Sequence, residues 1–501
     1  MLGRGGGIAF CRAVRPLKIL FVTPEVEPFA KVGGLADMCG ALPKYLARSG
    51  HDVRLVAPCY GSVKRVGDWR AREEPLGVEV GAGAHWARTW ETTLPGAAVP
   101  AYFLEFNDFF ARPEIYSEGR DNAHRFVFLC RGALTLCEQL GWTPDVIHCH
   151  DWTTGLLPVM LNTTVRDTPL ARCATVFTIH NLEHQGLSHE SVLPFARIPW
   201  SEFRGDSTES YGAVNMMKAG LYHSTKITTV SPTYAQEIRT KDGGFGLDHV
   251  LRHRSGDLIG ILNGIDNELW DPATDKALPA NFSAADLSGK AACKAALQER
   301  MGLQADPKVP LYGVVARLAH QKGLDLLAEV LGEIMGRMPV QFALLGSGDE
   351  QTENAFRWAS HAFPGRVAAK IGFDGKLARL IQAGADLFIM PSRSEPCGLT
   401  QMYAMRYGTP PIVRATGGLA DTVWDYEGLE GGTGFVFHAP NSAALYSAIG
   451  RSCAVYYDHP REFRAMQLRG MAQDFSWTRR AKNYEDVYRW AVESRTGVYP
   501  G

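Results

Sequence analysis

The apolar positions near the start of the chain predict a strand, a helix and a second strand. Residues 19–22 form a short apolar run of the buried-strand type. Over residues 35–48 the apolar side chains recur at helical spacing, and a second strand is predicted at residues 53–56. A β-α-β unit with adjacent glycines, Gly33 and Gly34, in its first turn is therefore predicted at the start of the chain.

The next stretch predicts hairpins, after which strands and helices alternate. Short β-type runs separated by Gly- and Pro-rich turns indicate hairpins inserted at one edge of a sheet. They lie at residues 78–80, 86–92 and 101–106. Beyond them we predict helices at 125–140 and around 211–222, and strands at 145–149, 174–179 and 226–230. Strands that alternate with helices indicate a doubly wound parallel sheet.

From residue 309 the alternation starts afresh and predicts a second Rossmann-like domain. Its predicted strands are 311–315, 342–345, 367–371, 387–390 and 411–413, and its predicted helices are 324–335, 350–362, 376–383 and 398–407. A strand-like run at 258–262 ends in the turn pair Asn263-Gly264, followed by a polar, Ala-rich connector. We therefore predict an N-terminal domain at 18–262 and a C-terminal domain at 263–479. Their strand ends are expected to face a deep interdomain cleft.

Composition narrows the classes of protein that fit this pattern. A chain of 501 residues with 46% hydrophobic content exceeds the size at which one core keeps growing, which favours two domains. The net charge of −1 gives no electrostatic reason to expect nucleic acid or an anionic membrane as partner. No apolar run approaches the roughly 20 residues of a membrane span. We therefore expect a soluble protein.

The cysteines and the N-terminus bear on the compartment. Ten cysteines lie scattered without a C-x-x-C pair, which favours a reducing compartment. Residues 1–17 contain Arg4, Arg12 and Arg15 and no acidic residue, which is typical of an organelle-targeting leader; an irregular N-terminus without a function is the alternative. We exclude this segment from the fold and expect it to be disordered.

The glycine pair of the first turn has a counterpart far along the chain. The sequence GGLAD occurs at residues 33–37 and again at 417–421, each time after an apolar run. Adjacent glycines before a helix let a ligand approach the backbone, and the helix start offers N–H groups to an anion. Lys31 adds a full positive charge to the first turn. Both turns are therefore candidate phosphate sites, although GG turns are also common without a ligand.

Polar residues follow the predicted strands of the N-terminal domain. His148 and His150 share one side of a strand, which raises a metal site as an alternative, but no further ligand occurs at suitable spacing. Asp151 and Trp152, just beyond that strand, are better interpreted as a polar contact and an aromatic platform for a sugar. His180 and Asn181 end the next strand, where substrate contact is favoured over a purely structural role.

Two cations and a carboxylate follow strands of the C-terminal domain. Arg317 and Lys322 come between a strand and a helix, so both can converge on a diphosphate, whereas the alternative is a pair of solvated surface charges. Glu395 precedes a predicted helix, where a carboxylate can also be an ordinary helix cap. No second carboxylate follows closely, so the paired-carboxylate arrangement of glycosidases is not supported.

These motifs together resemble the starch synthase and bacterial glycogen synthase family. The matching segments are KVGGLAD at 31–37, HCHDW at 148–152, TIHN at 178–181, ILNGID at 261–266, RLAHQKG at 317–323, PSRSEPCGLT at 391–400 and TGGL at 416–419. The resemblance implies the α/β GT-B fold, with final helices at 480–497 returning to the N-terminal domain. It also implies retaining transfer of glucose from ADP-glucose to the non-reducing end of an α-1,4-glucan, with no metal and no cofactor.

The resemblance also implies roles for individual residues. Arg317 and Lys322 stabilise the diphosphate leaving group, Glu395 and His180 hold the transferred glucose, and Asp151 completes the catalytic set. The substrate-binding residues it implies are Lys31, Gly33, Gly34, Asp37, Trp152, Asn181, Asn263, Phe373, Cys397, Gly398, Leu399, Thr400, Gly417 and Gly418. Ser394 replaces a usual aromatic residue and Ala316 a common serine, but neither change removes a charged group.

Two other functions stay open at this point. One is a related GT-B transferase that uses UDP-glucose, and the other is a non-catalytic glucan-binding or initiation paralogue. Retention of Lys31, Arg317, Lys322 and Glu395 argues against the second. We expect a monomer or weak homo-oligomer, in a plastid if the source is eukaryotic and in the cytoplasm if it is bacterial.

Overall fold

The structure, a computed structural model, describes residues 15–117, 119, 121–428 and 431–500. The predicted leader, residues 1–17, lies almost wholly outside the described residues. The strands are β1 (Lys18–Val22), β2 (Asp52–Pro58), β3 (Arg70–Ala71), β4 (Leu76–Val80), β5 (Gly83–Thr93), β6 (Pro100–Glu105), β7 (Val146–His150), β8 (Ala174–Ile179), β9 (Leu187–Ser188), β10 (Glu209–Ser210), β11 (Ala213–Asn215), β12 (Lys226–Thr229), β13 (Leu258–Gly260), β14 (Leu311–Val315), β15 (Gln341–Gly346), β16 (Val367–Ile371), β17 (Leu387–Met390), β18 (Pro411–Arg414) and β19 (Phe435–Phe437).

The helices connect these strands and close the chain. They are α1 (Gly34–Arg48), α2 (Asn107–Phe110), α3 (Asn122–Gln139), α4 (Leu156–Asn162), α5 (Val192–Phe195), α6 (Met216–His223), α7 (Pro232–Glu237), α8 (Asp248–His253), α9 (Ser288–Met301), α10 (Leu324–Arg337), α11 (Glu350–Ala362), α12 (Gly375–Gly384), α13 (Thr400–Arg406), α14 (Gly417–Thr422), α15 (Ser442–Asp458), α16 (Pro460–Met471) and α17 (Trp477–Thr496). No helix in the described part of the chain is long and apolar enough to span a membrane.

The chain forms two compact units. The first contains the described parts of Met1–Thr228, Lys241–Ile259 and Thr478–Gly501, and the second contains the described parts of Thr229–Thr240 and Gly260–Trp477. The domain limits predicted from the sequence, 18–262, 263–479 and 480–497, remain a proposal.

The sheet of the first unit reverses its strand order beside β1. The order is β13-β12-β8-β7-β1-β2-β6-β5-β3, and β1 pairs in parallel with both β2 and β7. The apolar side chains of β1 are buried, as the apolar run predicted. The chain builds outward from β1 through β2 and then returns to place β7 on the other side. Ligands bind such sheets at the carboxyl ends of the strands where the order reverses.

The predicted hairpins extend one edge of this sheet. Strand β5 pairs antiparallel with β6, β4 and β3. Strand β6 in turn runs parallel to β2, so the whole hairpin segment joins the main sheet through one strand. The prediction of hairpins inserted at one edge is confirmed.

The helix predicted around residues 211–222 begins later than expected. Strands β10 and β11 form a hairpin whose two-residue turn is Tyr211-Gly212, with φ angles of 51° and 81°. Two positive φ angles suit a tight hairpin turn and are incompatible with a helix. Helix α6 begins only after Asn215, whose side chain accepts the N–H of Lys218 as a cap.

The sheet of the second unit is parallel and also reverses its order. Its strands run β16-β15-β14-β17-β18-β19, and each neighbouring pair is parallel. The chain proceeds outward from β14 to β16 and then crosses back to place β17 beside β14. The reversal between β14 and β17 marks the expected ligand edge of this unit.

Helix α17 packs on the first unit. The hydroxyl of Tyr488 lies 2.8 Å from Nδ1 of His148, and both groups are buried. The guanidinium of Arg495 donates to Oδ1 of Asn162 at 2.9 Å. Helix α17 therefore contacts β7, which carries His148, and α4, which ends at Asn162.

Candidate active site

In the first unit, the turn after β1 is occupied by a carboxylate of the chain itself. Oε2 of Glu25 accepts the N–H groups of Val32 at 2.5 Å and Gly33 at 3.0 Å. Tyr116 donates its hydroxyl to Oε1 of the same carboxylate at 2.5 Å. The N–H groups of Val32 and Gly33, in the turn predicted to bind an anion, thus already have an acceptor in this conformation.

Sequence reasoning missed both Glu25 and Tyr116. Burial raises the pKa of Glu25, while the hydrogen bonds from Tyr116, Val32 and Gly33 oppose that rise. A carboxylate three residues beyond a buried central strand, at the edge where ligands bind, was the signal for Glu25. Tyr116 lies in the segment between α2 and α3 and carried no comparable local signal.

Lys31 is paired within the same turn. Its Nζ lies 2.6 Å from Oδ1 of Asp37 and 3.5 Å from Oε2 of Glu27, and about two-fifths of its side chain is exposed. Lys31 and Asp37, predicted separately as substrate contacts, therefore form one ion pair. Gly33 has no atom within 4 Å of the position where a Cβ would lie, so its open side faces free space.

Asp151 follows β7, next to the point where the strand order reverses. Its backbone has φ 55° and ψ −173°, a combination that residues other than glycine rarely adopt. Its Oδ1 accepts the N–H of His180 at 2.7 Å and lies 3.4 Å from the N–H of Asn181. Burial raises the pKa of Asp151 to about 7. Asp151 thus holds the end of the neighbouring strand β8.

Trp152 and Asn181 lie beside this group. Trp152 packs edge-on against Phe126, with ring centroids 5.1 Å apart, and a Cβ on Gly186 would overlap its indole. Oδ1 of Asn181 accepts the N–H of Glu183 at 3.1 Å. Asp151, Trp152, His180 and Asn181 are therefore brought together at one edge of the sheet, as predicted.

Three histidines, of which His148 and His150 are buried and His180 is partly exposed, form a row behind Asp151. The rings of His148 and His150 lie 4.2 Å apart, so they share a side of β7 as the alternation predicted. Nδ1 of His150 lies 3.1 Å from Nε2 of His180. Burial lowers the pKa of His148 and His150 well below its usual value and that of His180 to about 3.

The alternative of a metal site at these histidines gains no support. Both ring nitrogens of His148 are engaged, Nε2 with the hydroxyl of Thr178 at 2.6 Å and Nδ1 with Tyr488. Within the described ranges, no group of three or more His, Cys, Asp or Glu side chains could hold a metal ion.

In the second unit, loops from β14 and β17 touch at the point of reversal. Gly323 has a φ of 64°, and a Cβ there would lie 2.2 Å from the carbonyl oxygen of Pro391. Glycine at this position therefore lets the turn after β14 approach the loop after β17. The contact brings Lys322 of the first loop to Glu395 of the second.

Lys322 and Glu395 form a hydrogen-bonded ion pair. Nζ of Lys322 lies 2.7 Å from Oε2 of Glu395, which also accepts the hydroxyl of Ser392 at 3.0 Å. Glu395 is buried, whereas Arg317 is exposed. Among the described residues, none forms an ion pair or hydrogen bond with the guanidinium of Arg317. One cation of the predicted clamp is therefore neutralised by the carboxylate and the other faces solvent.

The second GGLAD turn packs against the loop that carries Glu395. The N–H of Gly417 donates to Oε1 of Glu237 at 3.0 Å, and the N–H of Gly418 donates to the carbonyl of Glu395 at 3.1 Å. A Cβ on Gly417 would lie 2.1 Å from that same carbonyl oxygen. These glycines permit close packing of two loops, and their N–H groups are not free for an anion in this conformation.

The segment from Cys397 to Thr400 is held from behind by Gln401. Nε2 of Gln401 donates to the carbonyls of Cys397 at 3.1 Å and Gly398 at 2.9 Å. Gly398 has a φ of 70°, which glycine adopts without strain. Helix α13 begins at Thr400, two residues later than predicted, and Leu399 precedes it as the cap residue.

Asn263 and Phe373 have opposite environments in the second unit. Asn263 is buried, and its Oδ1 accepts no hydrogen bond from the described residues. A buried acceptor of this kind suits a hydroxyl or N–H of a ligand. Phe373 follows β16 and is 96% exposed, which leaves its ring available for stacking.

Comparison with known proteins gives matches along almost the whole chain. A family model described as starch synthase catalytic domain matches residues 18–253, and one described as glycosyl transferases group 1 matches residues 298–452. A glycogen synthase of Anaeromyxobacter sp. (strain Fw109-5) is 50% identical over 94% of this chain and 99% of its own length. A glycogen synthase of Thermotoga maritima is 45% identical over 95% of this chain and 99% of its own.

A solved structure agrees with these matches. The catalytic domain of starch synthase IV from Arabidopsis thaliana, bound to ADP and acarbose, superposes with a TM-score of 0.89. It is 36% identical and covers 96% of this chain and 100% of its own. The α/β GT-B fold class predicted from the sequence is thereby confirmed, and the chain belongs to the starch synthase and bacterial glycogen synthase family of glycosyltransferases.

Proposed function

We propose that this protein transfers glucose from ADP-glucose to the non-reducing end of an α-1,4-glucan, with retention of the anomeric configuration. Curated relatives about 50% identical are glycogen synthases, and the similar Arabidopsis structure is described with ADP and acarbose bound. A nucleoside diphosphate and an oligosaccharide bound to that protein support a nucleotide sugar as donor and a glucan as acceptor here.

The observation that carries the proposal is the group formed by Arg317, Lys322 and Glu395. It lies where the strand order reverses between β14 and β17, the edge expected to bind ligands. Cleavage of a sugar-diphosphate bond builds negative charge on the leaving oxygen, and fixed cations nearby lower the energy barrier to this cleavage. Arg317 and Lys322 can supply that charge, so we expect transfer without an added metal or cofactor.

Glu395 and His180 are proposed to hold the transferred glucose, with Asp151 fixing the backbone at His180. Because no second carboxylate follows closely after Glu395 in the sequence, front-face transfer assisted by the leaving phosphate fits better than a double displacement. The other proposed substrate contacts are Lys31, Gly33, Gly34, Asp37, Trp152, Asn181, Asn263, Phe373, Cys397, Gly398, Leu399, Thr400, Gly417 and Gly418. In the first turn, binding of an anion at Gly33 requires Glu25 to give up the N–H groups it now accepts.

Partners and compartment follow from the same proposal. We expect maltooligosaccharide, starch or glycogen as acceptor, no nucleic acid or membrane as partner, and a monomer or weak homo-oligomer. The bacterial curated relatives support the cytoplasm rather than a plastid.

Incorporation of labelled glucose into maltooligosaccharides tests the proposal. Parallel reactions receive ADP-glucose or UDP-glucose, with and without a metal chelator. We expect rapid incorporation from ADP-glucose, much slower incorporation from UDP-glucose and no effect of the chelator. Faster transfer from UDP-glucose would favour the UDP-glucose alternative, and no transfer from either donor would favour a non-catalytic paralogue.

A further inference from the structure

A hydrogen bond joins the buried His150 to the partly exposed His180 in the first unit. His150 ends β7, His180 follows β8, and these strands are parallel neighbours. Nδ1 of His150 lies 3.1 Å from Nε2 of His180. A neutral imidazole has one donor and one acceptor nitrogen, so the ring that donates here fixes the tautomer of both.

Both rings are neutral near neutral pH. Burial is the main cause that lowers the pKa of each histidine, and for His180 it brings the pKa to about 3. His150 is fully buried, whereas His180 retains partial exposure. The bond is therefore one between two neutral imidazoles, and exactly one of the two facing nitrogens bears a proton.

The second ring nitrogen of His150, Nε2, indicates which of the two facing nitrogens bears the proton. Nε2 of His150 is buried and has no hydrogen-bond partner among the described residues. A proton there would leave an N–H donor buried without an acceptor, and orphaned buried donors are rarer than under-used acceptors. His148 offers no acceptor, since Thr178 and Tyr488 engage both of its nitrogens. The proton of His150 is then on Nδ1, and it is donated to Nε2 of His180.

We propose that His150 is a positioning residue that fixes the tautomer of His180, so that His180 presents its Nδ1–H to the substrate as a hydrogen-bond donor. Oδ1 of Asp151 accepts the backbone N–H of His180 at 2.7 Å. Two consecutive residues at the end of β7 therefore act on His180: Asp151 fixes its backbone, and His150 fixes the tautomer of its ring. The inference rests on the proposed function only for the identity of the sugar oxygen that accepts this bond.

Three substitutions of His150 test the role in the full-length protein. His150→Leu removes the donor at similar size, and we expect turnover to fall about 10-fold to 100-fold, the range known for losing a side chain that orients a metal-bound histidine. His150→Asn places an amide N–H near the position of Nδ1 and should recover most of that loss. His150→Gln places its amide one bond farther along and is the matched control that should not recover it. Equal turnover in the Asn and Gln variants at equal melting temperature would overturn the proposal.

The unsubstituted protein gives a second, independent test. With ¹⁵N-labelled histidine, the signals of His180 are assigned by their loss in His180→Gln. We expect Nδ1 in the range of protonated and Nε2 in the range of unprotonated imidazole nitrogens. The reverse assignment would overturn the proposal even if every His150 variant failed to fold. If the protein transferred no glucose but showed the expected tautomer, the proposed function would fail while the inference about His150 held.

Discussion

Lys322 and Glu395 form one ion pair, yet we assign them different tasks. The short contact of 2.7 Å places the ammonium group and the carboxylate at one point of the second unit. A cation there can neutralise the negative charge that grows on a leaving diphosphate, whereas a carboxylate can bind sugar hydroxyls. Substitution of each residue separates the two tasks.

For Lys322→Ala we expect a large loss of turnover. The variant lacks the cation that would neutralise charge growing on the diphosphate, and removing one such preorganised group costs about 100-fold or more in turnover. ADP affinity should fall less, because the exposed Arg317 is retained. Initial rates and calorimetry measure the two effects. Lys308→Ala, an exposed lysine before the amino end of β14, is the control and should behave like the unsubstituted protein.

For Glu395→Gln we expect turnover to collapse while ADP binding survives. Glutamine can still accept a bond from Lys322, but its neutral amide no longer holds the sugar with a charged acceptor. Removing the negative partner of Lys322 leaves that cation free for a diphosphate, so ADP affinity should be equal or higher in calorimetry. Glu329→Gln on α10 is the matched control. Near-normal turnover, or loss of ADP binding together with turnover, would show that Glu395 serves only to hold Lys322 and Ser392 in place.

Asp151 makes stability depend on pH. Burial raises its folded pKa to about 7, whereas an aspartate in the unfolded chain titrates near about 3.9. Its contribution to the free energy of unfolding is therefore fully present below about pH 4 and lost as the pH rises to about 7. Asp151→Asn removes this dependence. Relative to the unsubstituted protein, the variant should gain up to about 2–4 kcal/mol between about pH 5 and about pH 8 in urea unfolding. The same difference at both pH values would contradict this account.

At the scale of elements, the two GGLAD turns are identical in sequence but differ in what their glycines do. The first has an open side at Gly33, and the second packs Gly417, with a φ of 44°, against the loop of Glu395. Identical local sequence thus leaves open space beside the backbone in one unit and permits close packing of loops in the other. The distinction comes from distant residues, which a local pattern does not contain.

Matched alanine substitutions test this difference. Gly33→Ala should leave the melting temperature unchanged, because its Cβ meets no atom within 4 Å, but should raise KM for ADP-glucose. Gly417→Ala combines a positive φ with an overlap of the carbonyl of Glu395, so it should cost about 2–4 kcal/mol of unfolding free energy. Urea unfolding and steady-state kinetics check both variants. Equal destabilisation by the two substitutions would contradict the structural difference between the turns.

Most strands, and the helices that alternate with them, could be predicted because they have strong apolar patterns, whereas α15, α16 and most of the short helices were not predicted. Strands β8, β14, β16 and β17 and helix α11 have the predicted bounds, and the other predicted elements apart from α6 differ by a few residues at their ends. Helix α9 was missed because its Ala- and Lys-rich sequence resembles a connector, although two of its lysines are buried. The β10–β11 hairpin was missed because Tyr211, rather than a residue that favours positive φ, begins its turn.

At the scale of the whole molecule, the number of compact units was predictable from length and from the restarted alternation of strands and helices. Which unit each segment of the chain belongs to was not predictable. Residues 229–240 belong to the second unit, where Thr233 donates its N–H and hydroxyl to Asp421 at 2.9 and 2.7 Å. Such bonds join residues far apart in the chain and leave no periodic trace in the sequence.

In the candidate site, too, contacts between residues far apart in the chain could not be predicted from local sequence patterns. Strand ends predicted which residues would gather in each unit, because parallel strands bring their carboxyl ends to one edge. The partners that fill or orient these groups, such as Glu25 at Gly33 and His150 at His180, depend on side-chain geometry. That geometry is fixed by packing rather than by spacing along the chain.

The most direct test of the central claim is the anomeric configuration of the product, followed by proton NMR during a reaction with ADP-glucose and maltotetraose. We predict new signals of α-1,4-linked glucose that grow as ADP-glucose is consumed, with no β-linked intermediate product. Glu395→Gln should slow this growth by about 100-fold or more. A β-linked product would contradict retention, and hydrolysis to free glucose without chain extension would contradict transfer to a glucan.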